Sequence, residues 1–287
     1  MKKRSFFKKI IGLVILCVIA AFLALSLLLL LLELSLPNVN KLKDIHLQEP
    51  LRIFTSDHQL IAEFGNIRRI PVTFEQIPPL LIDATLATED QRYFSHPGVD
   101  FIGLARASVV LFVTGKKEQG GSTITMQVAR NFFLNRQKTY TRKIREILLA
   151  IKINHEFTKD KILELYFNQN FYGQRAYGVG AAAKTYYGET LDQLTLAQMA
   201  MLSGIPQAPS SLNPLANPAA AKDRRDHVLE RMYKLNYINQ ADYEKAIAEP
   251  PTASPHDFQV SVAAPYVAEM VRQVMVSQFG DTLYDKG

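Results

Sequence analysis

Three places in this 287-residue sequence hold side chains whose types and spacing could do chemistry. The first is the acidic pair Glu89 and Asp90, at the end of an otherwise apolar helical run over 80–87 and just before Tyr93, Phe94 and His96. A carboxylate set against apolar neighbours gains proton affinity, which suits a general base. The second is Gly120, Gly121, Ser122, Thr123, Ile124, Thr125, Met126 and Gln127. Free N–H groups and hydroxyls at such a helix start would hold an anion. The Gly-Lys-Ser/Thr spacing of a nucleotide-binding loop is absent there. The third is a cationic concentration. Between 130 and 161 lie Arg130, Arg136, Lys138, Arg142, Lys143, Arg145, Lys152, Lys159 and Lys161, against only Glu146, Glu156 and Asp160. On a helix Lys138, Arg142 and Glu146 would share a face, with Ile144, Ile147, Leu148 and Ile151 opposite. That pattern fits a phosphate site with one carboxylate among the cations.

Two further groups read first as structural. Glu164 and Asn168 stand one helical turn apart among apolar residues, the usual setting of hydrogen-bonded residues at a core edge. Arg224, Arg225, Asp226 and His227 read as packing and ion pairing.

The elements that must position these groups are mostly helices. Spacing and stops predict helices near 79–91, 100–113, 122–134, 139–155, 159–169, 176–186, 195–204, 219–235 and 240–248, with Pro78 and Pro79 opening the first. Short β pieces are expected within 51–74, after a polar connector over 37–50. Before them, residues 10–32 are an uncharged apolar run that as a helix would cover roughly 34 Å, enough for a hydrocarbon core. It is too long for a signal peptide and has no small-residue cleavage pattern, so it reads as an uncleaved anchor. Lys2, Lys3, Arg4, Lys8 and Lys9 precede it, which keeps the N-terminus cytoplasmic and places everything after it outside the cytoplasmic membrane.

Those five residues also account for most of the net charge of +6: without them 28 basic residues face 27 acidic ones. No basic stripe covers the whole body, so nucleic acid is not an expected partner. The one cysteine, Cys17, lies in the apolar run and leaves no intrachain disulfide.

Taken together and in this order, these segments resemble the family 51 glycosyltransferases. They are the glycan-polymerising domains of class A penicillin-binding proteins and of monofunctional peptidoglycan glycosyltransferases. The resemblance runs from about residue 72 to 235. It rests on Glu89-Asp90 with Phe94, His96 and Gly98, on residues 120–125, on Arg142, Lys143 and Glu146, and on Ile162, Leu163, Glu164, Tyr166 and Asn168.

The resemblance implies a mainly α, lysozyme-like glycosyltransferase domain preceded by one transmembrane helix. It implies polymerisation of lipid II, with inversion and release of undecaprenyl pyrophosphate, in the bacterial inner membrane. The partners would be lipid II, the growing lipid-linked glycan, the membrane and other cell-wall synthesis proteins. Glu89 would deprotonate the acceptor 4-hydroxyl, and Glu146 would be the second essential carboxylate, beside the donor pyrophosphate. Ser122, Gln127, Arg130, Lys138 and Arg145 would contact donor phosphate and sugar, with Arg106 facing the same cleft. Asp90, Thr123, Arg142, Lys143, Glu164 and Asn168 complete the candidate substrate contacts. No cofactor is required, although a divalent cation such as magnesium is compatible with the chemistry.

One residue departs from the pattern. The family usually carries Gln-Gln where this chain has Met126 and Gln127, which would remove or reassign one sugar contact. A leaving pyrophosphate needs cations but no acid, whereas a glycan-cleaving enzyme would need an acid and no cationic cluster. A scaffold would have no use for the acid at the helix end.

The expected organisation is a basic tail over 1–9, a span over 10–32 and a connector with short β pieces over 33–71. The glycosyltransferase domain follows over 72–249, then a linker or the start of a following domain over 250–287. The only Ser-x-x-Lys is Ser5 to Lys8 in the tail, and no Lys-Thr-Gly occurs. A transpeptidase site is therefore not expected here, and the sequence reads as the N-terminal part of a class A, 1A-like bifunctional protein.

Overall fold

The computed structural model describes residues 2–45, 47–115, 120–135, 137, 139–256, 262–280 and 283, with the side chains at 2–11, 25, 28, 29 and 111 outside that description. Helix α1 (Lys2–Leu34) is continuous for 33 residues. Most of its described apolar side chains, among them Leu13, Leu16, Phe22 and Leu31, stand exposed, while Leu32 near its end is buried. Among the described residues no helix is long and apolar enough to cross a membrane.

The stretch expected as a polar connector does more than connect. Asn38 caps a short 3-10 turn, Val39–Leu42, whose Val39 and Leu42 are fully buried in the main core. Alternation then makes an antiparallel hairpin of β1 (Leu51–Phe54) and β2 (Leu60–Phe64), with Leu51 opposite Phe64. In the expected β piece over 69–74 only β3 (Arg68–Arg69) forms a strand.

The helical domain continues through α2 (Pro79–Glu89), α3 (Phe101–Thr114), α4 (Ile124–Phe133), α5 (Tyr140–Glu156) and α6 (Lys159–Gln169). After β4 (Ala176–Tyr177), parallel to β3, come α7 (Val179–Tyr187), α8 (Leu196–Gly204), α9 (Pro218–Lys234) and α10 (Gln240–Ala248). The domain is mainly α, as expected. Side-chain oxygens of Thr123, Thr139, Thr158, Thr195, Asn217 and Asn239 cap α4, α5, α6, α8, α9 and α10 by accepting backbone N–H bonds. Each cap satisfies a donor that the first helical turn leaves open.

Two starts and stops differ from expectation for clear reasons. Helix α2 ends at Glu89 because Asp90 leaves helical geometry, at φ −159 and ψ 71, to use its carboxylate elsewhere. Helix α7 starts at Val179, since Gly178 turns the chain at φ +83. A Cβ at Gly178 would stand 2.9 Å from the Asn168 carbonyl oxygen, so glycine alone fits there.

Two buried clusters hold the domain. Ile124, Val128, Leu149, Ile153, Ile162, Tyr166, Ala182 and Tyr186 join α4, α5, α6 and α7. Small residues Ala84, Ala87, Ala197 and Ala200 let α2 and α8 approach closely under Val228, Leu229 and Met232 of α9. Removing one of these larger side chains, as in Leu229→Ala, would cost about 2–5 kcal/mol.

The stretch after α10 is partly docked and not a free linker. Ser254 N–H donates to Tyr186 O (2.9 Å) and His256 N–H to Thr185 O (3.1 Å). Helix α11 (Pro265–Phe279) then packs Ala268 against Leu51, Ile53 and Ile61 of the hairpin.

Candidate active site

Consecutive acids at the end of α2 point to opposite sides. Asp90 is buried, and its Oδ1 meets His96 Nε2 at 2.9 Å while its Oδ2 accepts from Ile124 N–H at 3.0 Å. It therefore caps α4, where the helix dipole favours an anion. Both of its oxygens therefore meet partners inside the protein.

Glu89 stays nearer the surface, with its side chain 16% exposed. Its Oε2 accepts from Gln127 Nε2 at 2.8 Å, and its Oε1 lies 3.8 Å from Arg224 Nη2. Below it are two buried tyrosines. Burial, and then the Glu89 charge, push the hydroxyls of Tyr166 and Tyr172 up.

The 122–127 stretch that opens α4 links Glu89 to a second group. Ser122, just before it, accepts a bond from Lys143 Nζ at 2.8 Å. The same Lys143 Nζ donates to Glu146 Oε1 at 2.8 Å, and Arg142 Nη1 donates to Glu146 Oε2 at 2.6 Å. Glu146 is fully buried, which two close cations make tolerable. The sequence placed the apolar face of α5 at Ile144, Ile147, Leu148 and Ile151. The structure instead buries Leu149, Ala150 and Ile153 beside Glu146 and leaves Ile151 exposed. Glu146 thus lies on the buried face of α5, neutralised by Arg142 and Lys143 of the same helix.

Arg130 lies half-buried within the field of Tyr166, and Arg145 is half-buried with its Nε enclosed and lacking an acceptor. Lys138 falls outside the described residues. Arg106 is exposed on α3.

Three candidates do not join this group of side chains. Thr123 is buried, accepting from Met126 N–H and donating to Gly98 O at 2.6 Å. Gly98 sits at φ +87, where a Cβ would collide with Ala150 O at 2.4 Å, so this crossing of α5 also demands glycine. Asn168 is buried and exchanges bonds with Val72, accepting from its N–H at 2.9 Å and donating to its carbonyl at 2.7 Å. Glu164 accepts from Phe74 N–H at 3.2 Å and pairs with Lys161. Asn168 and Glu164 pin the 72–74 segment to α6 and line a separate opening of about 290 Å³ with Ile45, Pro71 and Thr73.

The Met126 departure resolves here too. Met126 is fully buried against Val99 and Ala150, so position 126 faces the interior and Gln127 faces Glu89. Arg224 is the residue that sequence reasoning assigned to packing and that instead reaches the site. Its only signal was a second arginine beside Arg225 on a helix with one apolar face, and Arg225 is the one that packs, fully buried and bonded to Glu249 O.

The start of α4 thus stands between a partly exposed carboxylate, Glu89, and a cation-neutralised one, Glu146. The sequence pattern of the Transglycosylase family matches residues 57–233. Penicillin-binding protein 1A of Escherichia coli K12 is 49% identical over 256 residues, covering 89% of this chain and 30% of that protein. Penicillin-binding protein 1A of Pseudomonas aeruginosa is 48% identical over 253 residues, covering 88% and 31%. The crystal structure of penicillin-binding protein 1A from Haemophilus influenzae shares 34% identity over 83% of this chain and 26% of that one, with a TM-score of 0.47. The chain spans about 30% of the length of these curated relatives. The chain belongs to the transglycosylase family and carries a peptidoglycan glycosyltransferase domain of cell-wall synthesis.

Proposed function

We propose that this domain polymerises lipid II into glycan strands. The observation that carries the reading is the α4 bridge, which joins Glu89 through Gln127 to the Ser122–Lys143–Glu146–Arg142 group. Glu89 takes the proton of the acceptor 4-hydroxyl, and that oxygen bonds to the donor sugar C1. The C1–oxygen bond to undecaprenyl pyrophosphate breaks, and its electron pair goes to the pyrophosphate. A single displacement of this kind inverts C1. Arg142, Lys143 and Arg145 supply the positive charge that the leaving group needs, and positioned charge of this kind is commonly the largest catalytic contribution. No resident cofactor belongs to this proposal, and magnesium, where present, would accompany the substrate pyrophosphate.

The lipid-linked substrate also needs a membrane. We assign that anchoring to α1, whose uncharged run over 10–32 follows a basic tail, with the domain on the outer side of the cytoplasmic membrane. Helix α3 adds a second apolar surface, with Ile102, Val109, Phe112 and Val113 exposed and Phe112 at 92%.

The deciding experiment incubates the chain with lipid II and, separately, with polymeric glycan. Growth of polymer with release of undecaprenyl pyrophosphate is expected. Shortening of polymer without growth from lipid II would replace this reading with a glycan-cleaving one.

A further inference from the structure

We infer that Arg224 is a positioning residue for Glu89, holding the carboxylate turned toward the acceptor, an inference that rests on the base role proposed above. Gln127 occupies Oε2 at 2.8 Å, whereas Arg224 Nη2 stands 3.8 Å from Oε1. That separation is too long for a hydrogen bond but close enough for strong attraction in a half-enclosed site. Oε1 therefore keeps a lone pair free for an incoming hydroxyl while the cation fixes its direction.

The rest of Arg224 is arranged for this task. Its side chain is 15% exposed, and among the described residues Glu89 is the carboxylate paired with it. Its Nε is enclosed without an acceptor, so the guanidinium is not tied down by a competing network. Burial lowers its proton affinity, and Glu89, then Tyr166, raise it again. The stem passes over the last residue of α8: a Cβ at Gly204 would stand 2.8 Å from Arg224 Cγ. Gly204 has an ordinary helical φ of −77, so its backbone does not require glycine and the space for the arginine does. Arg224 on α9 and Gly204 on α8 thus form one device aimed at the end of α2.

The test uses the full chain in detergent with lipid II, comparing wild type, Arg224→Gln, Arg224→Lys and Gly204→Ala, each with a thermal melt. A misplacement of about 1 Å can lower a rate by about 100-fold, so Arg224→Gln should reduce kcat by roughly 10- to 100-fold. Its KM for lipid II should stay within about threefold, because the lost interaction acts in the chemical step. Arg224→Lys, which keeps the charge, should retain more kcat than Arg224→Gln. Gly204→Ala ordinarily stabilises at a helical φ, yet it should lower kcat in the same direction by displacing the arginine. Folded Arg224→Gln and Gly204→Ala with kcat within about threefold of wild type would overturn the inference. Should Arg224→Gln fail to fold, Gly204→Ala decides by the same threefold limit. A wild-type chain that leaves lipid II untouched sinks the functional reading and this inference together, whereas an active wild type with unchanged variants sinks this one alone.

Discussion

The two carboxylates of the site live in opposite surroundings. Glu89 is partly open, takes one hydrogen bond and has its nearest cation at 3.8 Å. Glu146 is fully enclosed, with one oxygen on Arg142 and the other on Lys143, both within 2.8 Å. A group that must accept a proton has to keep a lone pair and meet a substrate. A group that organises cations has to be saturated by them. The same side-chain type is thus left open in one case and saturated in the other, both beside the start of α4.

Glu89→Gln should break the comparison most visibly. General-base removal is expected to lower turnover by about 10²- to 10⁴-fold, while urea or thermal unfolding stays near wild type. Unchanged turnover would remove Glu89 as the base. Glu146→Gln should instead lose both properties. Breaking one side of a buried pair costs about 3–5 kcal/mol, and the half-exposed Lys143 reduces that toward the low end. A melting temperature equal to that of Glu89→Gln would show that the two sites are not different in kind.

A smaller effect should come from Met126→Gln, which restores the family's usual residue. Because position 126 is buried against Val99 and Ala150, the amide would find few partners and stability should fall by about 1–3 kcal/mol, with no gain in turnover. Increased polymerisation would mean that position 126 reaches substrate. Smallest of all should be Ser122→Ala, which removes only the Ser122–Lys143 bond, about 1 kcal/mol, and should show as weaker donor binding more than as slower chemistry.

Helix limits were largely legible because caps and breakers act locally. Thr139 before α5, Thr158 before α6 and Pro79 opening α2 announce their helices within a few residues. The candidate base and the cationic segment were equally visible, since charge and apolar runs can be read along a chain. What could not be read was direction. Nothing in the order Glu89-Asp90 tells which acid faces the cleft, and the answer came from Ile124 N–H and His96 waiting on one side. The apolar stripe of α5 misled for a related reason. Burial of Glu146 depends on neutralisation by Arg142 and Lys143, an energy that hydrophobic periodicity does not contain.

The sequence by itself therefore determined the family, the helical class, the acid at the end of α2 and the cations of α5, because each is a local pattern of residue types. Only the tertiary structure decided that Asp90 and Thr123 serve the fold, that Met126 turns inward and that Arg224, separated from Glu89 by most of the domain, stands beside it. These outcomes depend on which side chains meet across α2, α4, α8 and α9. Such meetings are set by packing small residues against one another and by the need of each buried charge for a partner.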